Sequence, residues 1–185
     1  MSEPASTARA RGAARLLGFH AQVSRSFDPQ LVELFGDLNA LHFDSALPPV
    51  PICRSIPRDL LRHQDRGDGL TRLRVYLQGD VPLASVTIYL SGSWFDSPAA
   101  SEEVRSELIR NALLHQMVHV AVHLDTLGGV HHFDDHHGQH FADECNRISE
   151  RSGWSVVLPS DQVLDDAHNS ENWPDNAIKV PEIRR

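Results

Sequence analysis

The 185-residue chain reads as an α+β fold, a small curved sheet packed by helices. Three patterns carry this reading. Apolar residues recur at helical spacing from Asp28 to Phe43, again from Ser101 to about His123, and once more from His137 to Ser152. Between the first two runs lie short segments in which apolar and polar residues alternate, as in a sheet with one covered face. A chain of this length fits one domain with a real core and is too short for two.

Taken in order, residues 1–26 are small and polar with Arg9, Arg11 and Arg15 among them, and read as a flexible arm without chemistry of its own. The domain spans 27–160. Asp28-Pro29 supplies an N-cap and a proline at the first helical position, and Leu31, Leu34, Phe35, Leu38 and Leu41 form the stripe of the first helix. Pro48, Pro49 and Pro51 break the chain before a short apolar run at Ile52. Strands are expected at 73–77 and at 86–90, where Val86, Ile88 and Leu90 alternate with Thr87 and Tyr89. Ser101 caps the longest helix, with Glu102 and Glu103 in its first turn and Val104, Leu108, Leu113, Met117 and Val120 along it. Residues 124–136, with Gly128-Gly129 and Asp134-Asp135, read as a loop. A last helix begins at His137, carries Phe141, Cys145 and Ile148, and stops at Ser152-Gly153. Residues 161–185 form an acidic, proline-interrupted tail.

Composition narrows the function classes. With Cys53 and Cys145 as its two cysteines, the chain can build neither a disulfide framework nor a four-cysteine zinc ribbon, which fits a reducing cytoplasm. No run is apolar enough for a membrane span, and the opening residues, which lack a long apolar stretch followed by a cleavage site, read as those of an unexported protein. A net charge of −8 opposes non-specific binding to phosphate backbones. Locally the sign changes: Arg54, Arg58, Arg62, Arg66, Arg72 and Arg74 fall within 21 residues.

Histidine is the more telling count. Of 12 in the chain, eight (His115, His119, His123, His131, His132, His136, His137 and His140) lie within 26 consecutive residues, a clustering that points to a metal. His115-Gln116-Met117-Val118-His119 puts two imidazoles on one helix face, one turn apart, within reach of a single ion. Zinc in a hydrolase takes three protein ligands and leaves a fourth position open. His137 is the best third ligand, since it shares the stripe of Phe141, Cys145 and Ile148 and so points inward. His123 is eight residues past His115, about 12 Å along a helix, too far for bonds of about 2 Å to the same ion. Glu144, roughly 10 Å beyond His137 on the same face, cannot join it as a ligand but is an alternative to it. Asp125, six residues after His119, is a further alternative, although Val122 stands where a glycine would let the chain turn. Two histidines packed on an apolar helix with one hydrogen bond each remain the plain structural reading of the HxxxH pattern alone. His131, His132, His136 and His140 receive no firm role.

Over about Leu31 to Ser152 the chain resembles the SprT-like (Spartan-like) metalloprotease family. Leu34-Phe35, Leu38-Asn39, Phe43 and Leu47-Pro48 resemble its opening signature, Leu114 to His119 its LxHExxH helix, and His137-Gly138 with Phe141 its HGxxF motif. The resemblance implies a zincin-like, zinc-dependent endopeptidase domain with Zn2+ on His115, His119 and His137, a protein or peptide substrate, and DNA as a partner by family analogy.

Two departures change what is expected. The family's general-base glutamate corresponds to Gln116, and an amide cannot take a proton from water or pass it to a leaving amine. Glutamine nearly keeps the shape of glutamate and leaves metal binding intact, so the chain reads as an endopeptidase inactivated at position 116. A natural pseudoprotease acting as a zinc-stabilised protein- or DNA-binding module is the alternative. The second departure is the absence of a cysteine-rich zinc ribbon that many relatives use to find partners. Substrate in extended form is expected to pair with a strand edge at 85–91.

Overall fold

The computed structural model describes residues 9, 11, 28–58, 60, 69–78, 81–92, 95, 101–127 and 137–152. Among them three helices pack with a three-stranded sheet, an α+β arrangement. The expected acidic tail at 161–185 and the 153–160 end of the domain lie outside the described residues, as do most of the arm at 1–26 and the loop histidines His131, His132 and His136. No described helix is long and apolar enough to cross a membrane.

Helix α1 (Pro29–Phe43) starts as its sequence dictates. Asp28 is extended and its carboxylate accepts the Gln30 N–H at 2.9 Å, with Pro29 in the first turn. Leu31, Phe35, Leu38, His42 and Phe43 face the core, so the stripe turns onto His42 while Leu41, expected to pack, is 62% exposed. Burial, then the positive charges of Arg147 and Arg110, push the His42 imidazole below its ordinary pKa. The helix ends on Asp44 in the left-handed region, and both ends of the buried Asn39 amide stitch the following turn: Nδ2 donates to the Leu47 carbonyl at 2.8 Å and Oδ1 accepts the Leu47 N–H at 3.1 Å.

Strands β1 (Ile52–Cys53), β2 (Gly69–Gln78) and β3 (Val81–Leu90) lie in the order β1-β3-β2. β3 runs parallel to β1 through Ile52↔Ile88 and Cys53↔Tyr89, and antiparallel to β2 from Gly69↔Leu90 to Gln78↔Val81. Both long strands exceed their expected ranges of 73–77 and 86–90. Pro82 argues against a strand because it has no N–H to donate, yet it is tolerated where β1 does not reach, and β1 covers β3 only at Ile88 and Tyr89. Ala84, Val86, Ile88 and Leu90 are buried, and Ser85, Thr87 and Tyr89 line the other face.

Helix α2 (Glu102–Leu127) is the spine of the domain, in contact with β2, β3, α1 and the last helix. The Ser101 hydroxyl accepts the Val104 N–H, completing the cap. From Ala112 to Ala121 every residue but His115 is buried, because the helix there is enclosed by the sheet on one side and by helices on the other. It continues one turn past the expected end at His123, since Leu124 and Leu127 are themselves buried core residues. Helix α3 (Gln139–Ser152) begins two residues after the expected His137, with the Gly138 carbonyl accepting the Ala142 N–H. Its stripe of Phe141, Cys145 and Ile148 is buried in the same core as α2.

Candidate metal centre

Helical geometry brings His115 and His119 together one turn apart on α2, and the turn before α3 delivers His137 to the same point. The three ligand atoms lie within 4.8 Å of one another. His115 Nε2 is 3.2 Å from His119 Nε2 and 3.4 Å from His137 Nε2. Tetrahedral bonds of 2.0–2.1 Å to zinc place neighbouring donor atoms about 3.3 Å apart, so these spacings match the edge of such a polyhedron. As hydrogen bonds they lie at or beyond the long end of the ordinary range, which disfavours the reading of three merely packed imidazoles. His119 is buried, whereas His115 and His137 are half-buried. Among the described residues these three donors converge, and they fit a metal ion.

Phe141 is the floor of this centre. Its ring, 1% exposed, lies 5.1, 4.5 and 4.8 Å from the rings of His115, His119 and His137. One apolar side chain thus touches all three imidazoles, fixing their orientation and excluding water from that side. Its helical spacing marked it as core, and nothing in that pattern separates a core ring from the floor of a site.

Gln116 is in contact with β2. It is 3% exposed and packs on β2, where a Cβ on Gly69 would stand 3.2 Å from Gln116 Cγ and 2.6 Å from the Tyr89 carbonyl oxygen. Thr71 Oγ1 lies 2.8 Å from Gln116 Oε1 and 3.1 Å from the Gln116 carbonyl oxygen. A hydroxyl has one proton and here faces two acceptors. Turning the amide over resolves the conflict, since the NH2 group then donates to Thr71 while Thr71 donates to the carbonyl. A carboxylate in this position has no proton to give. Thr71 and Gly69 were not marked by their sequence context, because their partner is far away in sequence, 45 residues from Thr71.

The rival ligands are accounted for. His123 stacks on His119 with ring centres 6.5 Å apart and takes no place among the converging nitrogens. Asp125, inside α2 rather than in a loop, pairs with Arg9 at 3.2 Å, and Glu144 pairs with Arg9 at 2.9 Å and Arg147 at 2.8 Å. His140 is exposed. Burial, and then the nearby Glu144, push the Cys145 thiol up to about 12, which withholds the thiolate a metal needs. The expected substrate edge at 85–91 is corrected: β3 is the central strand and is paired on both sides at Ile88 and Tyr89. The edge strand beside Gln116 is β2. No family model, no curated protein and no solved structure matches the chain.

Proposed function

We propose that this chain is a zinc-holding domain of the SprT-like endopeptidase type whose hydrolytic step is disabled at position 116. One observation carries the proposal: three imidazoles converge from an HxxxH helix and from the turn before the next helix, with His115 Nε2 at tetrahedral spacing from the Nε2 of each of the other two. When bound, zinc supplies Lewis acidity, polarising a carbonyl and acidifying water toward neutrality. His115, His119 and His137 hold it, and Phe141 keeps water from its inner side. An extended peptide has a place along the outer edge of β2, where main-chain hydrogen bonds read backbone rather than side chains. Gln116 donates and accepts hydrogen bonds but moves no proton, and loss of a general base lowers a rate about a hundred- to ten-thousand-fold.

A second reading, a natural peptide-binding module, is favoured by the Thr71 contacts, which suit an amide and leave a carboxylate facing an oxygen without a proton between them. One experiment separates the two. Zinc content and cleavage of a disordered protein are measured for the parent, for Gln116→Glu and for His137→Ala. The proposal expects about one zinc per chain in the first two, little in the third, and cutting by Gln116→Glu alone. Zinc in both with cutting by neither leaves the binding module, and a parent without zinc overturns both.

A further inference from the structure

A line of buried ion pairs joins the two helices that position the histidines. Arg9 Nη2 reaches Asp125 Oδ2 at 3.2 Å and Glu144 Oε1 at 2.9 Å. Asp125 is six residues beyond His119 on α2, and Glu144 is seven beyond His137 on α3. All three side chains are nearly buried, at 11, 12 and 9% exposure. Arg147 holds both oxygens of Glu144, at 2.9 and 2.8 Å, and donates from Nη2 to the His42 carbonyl at 2.7 Å, tying in the end of α1. Glu144 therefore has two guanidinium partners. Asp125 has Arg9, and its second oxygen and the Arg9 Nε make no hydrogen bond among the described residues.

The chemistry of this joint is that of a guanidinium site. Two carboxylates on separate helices repel each other when buried without a cation, and one guanidinium nitrogen, Arg9 Nη2, bridges both. The cation comes from neither helix. It arrives from the N-terminal arm, 116 residues away in sequence from Asp125. The arm expected to lack chemistry thus places one buried side chain at the joint of the metal-bearing helices.

We propose that Asp125 and Glu144 form a guanidinium-binding site, filled in cis by Arg9, and that its occupation holds α3 against α2 and so sets the metal affinity of the three histidines. Arg9 is a positioning residue: it acts on His137 through α3. The inference rests on the metal centre proposed above.

The test measures zinc affinity by competition with a chromophoric chelator for the full chain, for Arg9→Ala, and for Arg9→Ala with methylguanidinium or with sodium chloride at equal ionic strength. Arg151→Ala, which breaks an exposed pair with Asp44, is the control. Loss of a residue that orients metal ligands typically weakens binding by at least about tenfold. That loss is expected for Arg9→Ala, with recovery in methylguanidinium, none in sodium chloride and no change in the control. Unchanged affinity in Arg9→Ala, or a loss that methylguanidinium does not repair, overturns the proposal. Should the alanine variant not fold, Arg9→Gln removes the charge but keeps much of the side chain, and affinity equal to the parent overturns it likewise. A parent that takes up no zinc removes the metal centre itself, whereas a parent and variant that bind zinc equally remove the arm's role alone.

Discussion

At position 116 the difference between glutamate and glutamine is a matter of one donor group, and the neighbours decide which is better housed. Thr71 offers a single proton to two oxygens of residue 116, and Gly69 offers the space in which that side chain lies. Gly69→Ala puts a methyl group 2.6 Å from the Tyr89 carbonyl, a backbone atom that cannot step aside without moving β3. Overpacking of this kind costs about 1–3 kcal/mol. Urea unfolding of Gly69→Ala in chelator should show that loss, and an unchanged midpoint would mean that β2 relaxes away from Gln116.

Among the elements, α2 and α3 meet through apolar residues whose spacing was set by the helical period, and the metal centre sits at the end of that contact. Phe141 belongs to both. It is part of the stripe of α3 and lies against all three imidazoles. Phe141→Ala should cost about 3–5 kcal/mol in chelator, the range for removing a fully buried aromatic ring. It should weaken zinc binding as well, and full affinity in a destabilised variant would show that the floor packs the core without orienting the ligands.

For the whole molecule, acid stability reflects two carboxylates that join separate elements. Burial would raise the pKa of Glu144, but hydrogen bonds from Arg147 and the charge of Arg9 outweigh it and hold the group below its ordinary value of 4.5. Burial opposes the shift at Asp28 too, and Arg54 and the Gln30 N–H bring it below 3.8. A carboxyl depressed on folding stabilises fully above its unfolded value, and that contribution is lost as pH falls through the folded value. Asp125 has the opposite sign: burial raises it, so it takes up a proton early as pH falls. Urea midpoints measured in chelator should therefore drop below about pH 4.5, and Glu144→Gln should flatten that drop. At pH 6 the same variant should lose about 3 kcal/mol or more by stranding buried charge. An acid limb identical to the parent's would exclude Glu144 as its source.

The sequence by itself determined what local period and cap chemistry can fix. The Asp28 cap of α1, the Leu113, Met117 and Val120 part of the α2 stripe, the α+β alternation and the HxxxH pair all follow from spacings of three or four residues or of two, whereas Val104, expected in that stripe, is 49% exposed and His137 stands in the turn before α3 rather than on its stripe. Only the tertiary structure decided what depends on partners far away in sequence. It carried α2 past His123, because Leu124 and Leu127 find a core to enter. Among the described residues it put β2 rather than β3 at an edge of the sheet, because strand order is set by pairing and not by the composition of either strand. It also assigned Thr71 to Gln116 and Arg9 to the joint of α2 and α3, because a hydroxyl or a guanidinium has no preferred partner until the chain around it has closed.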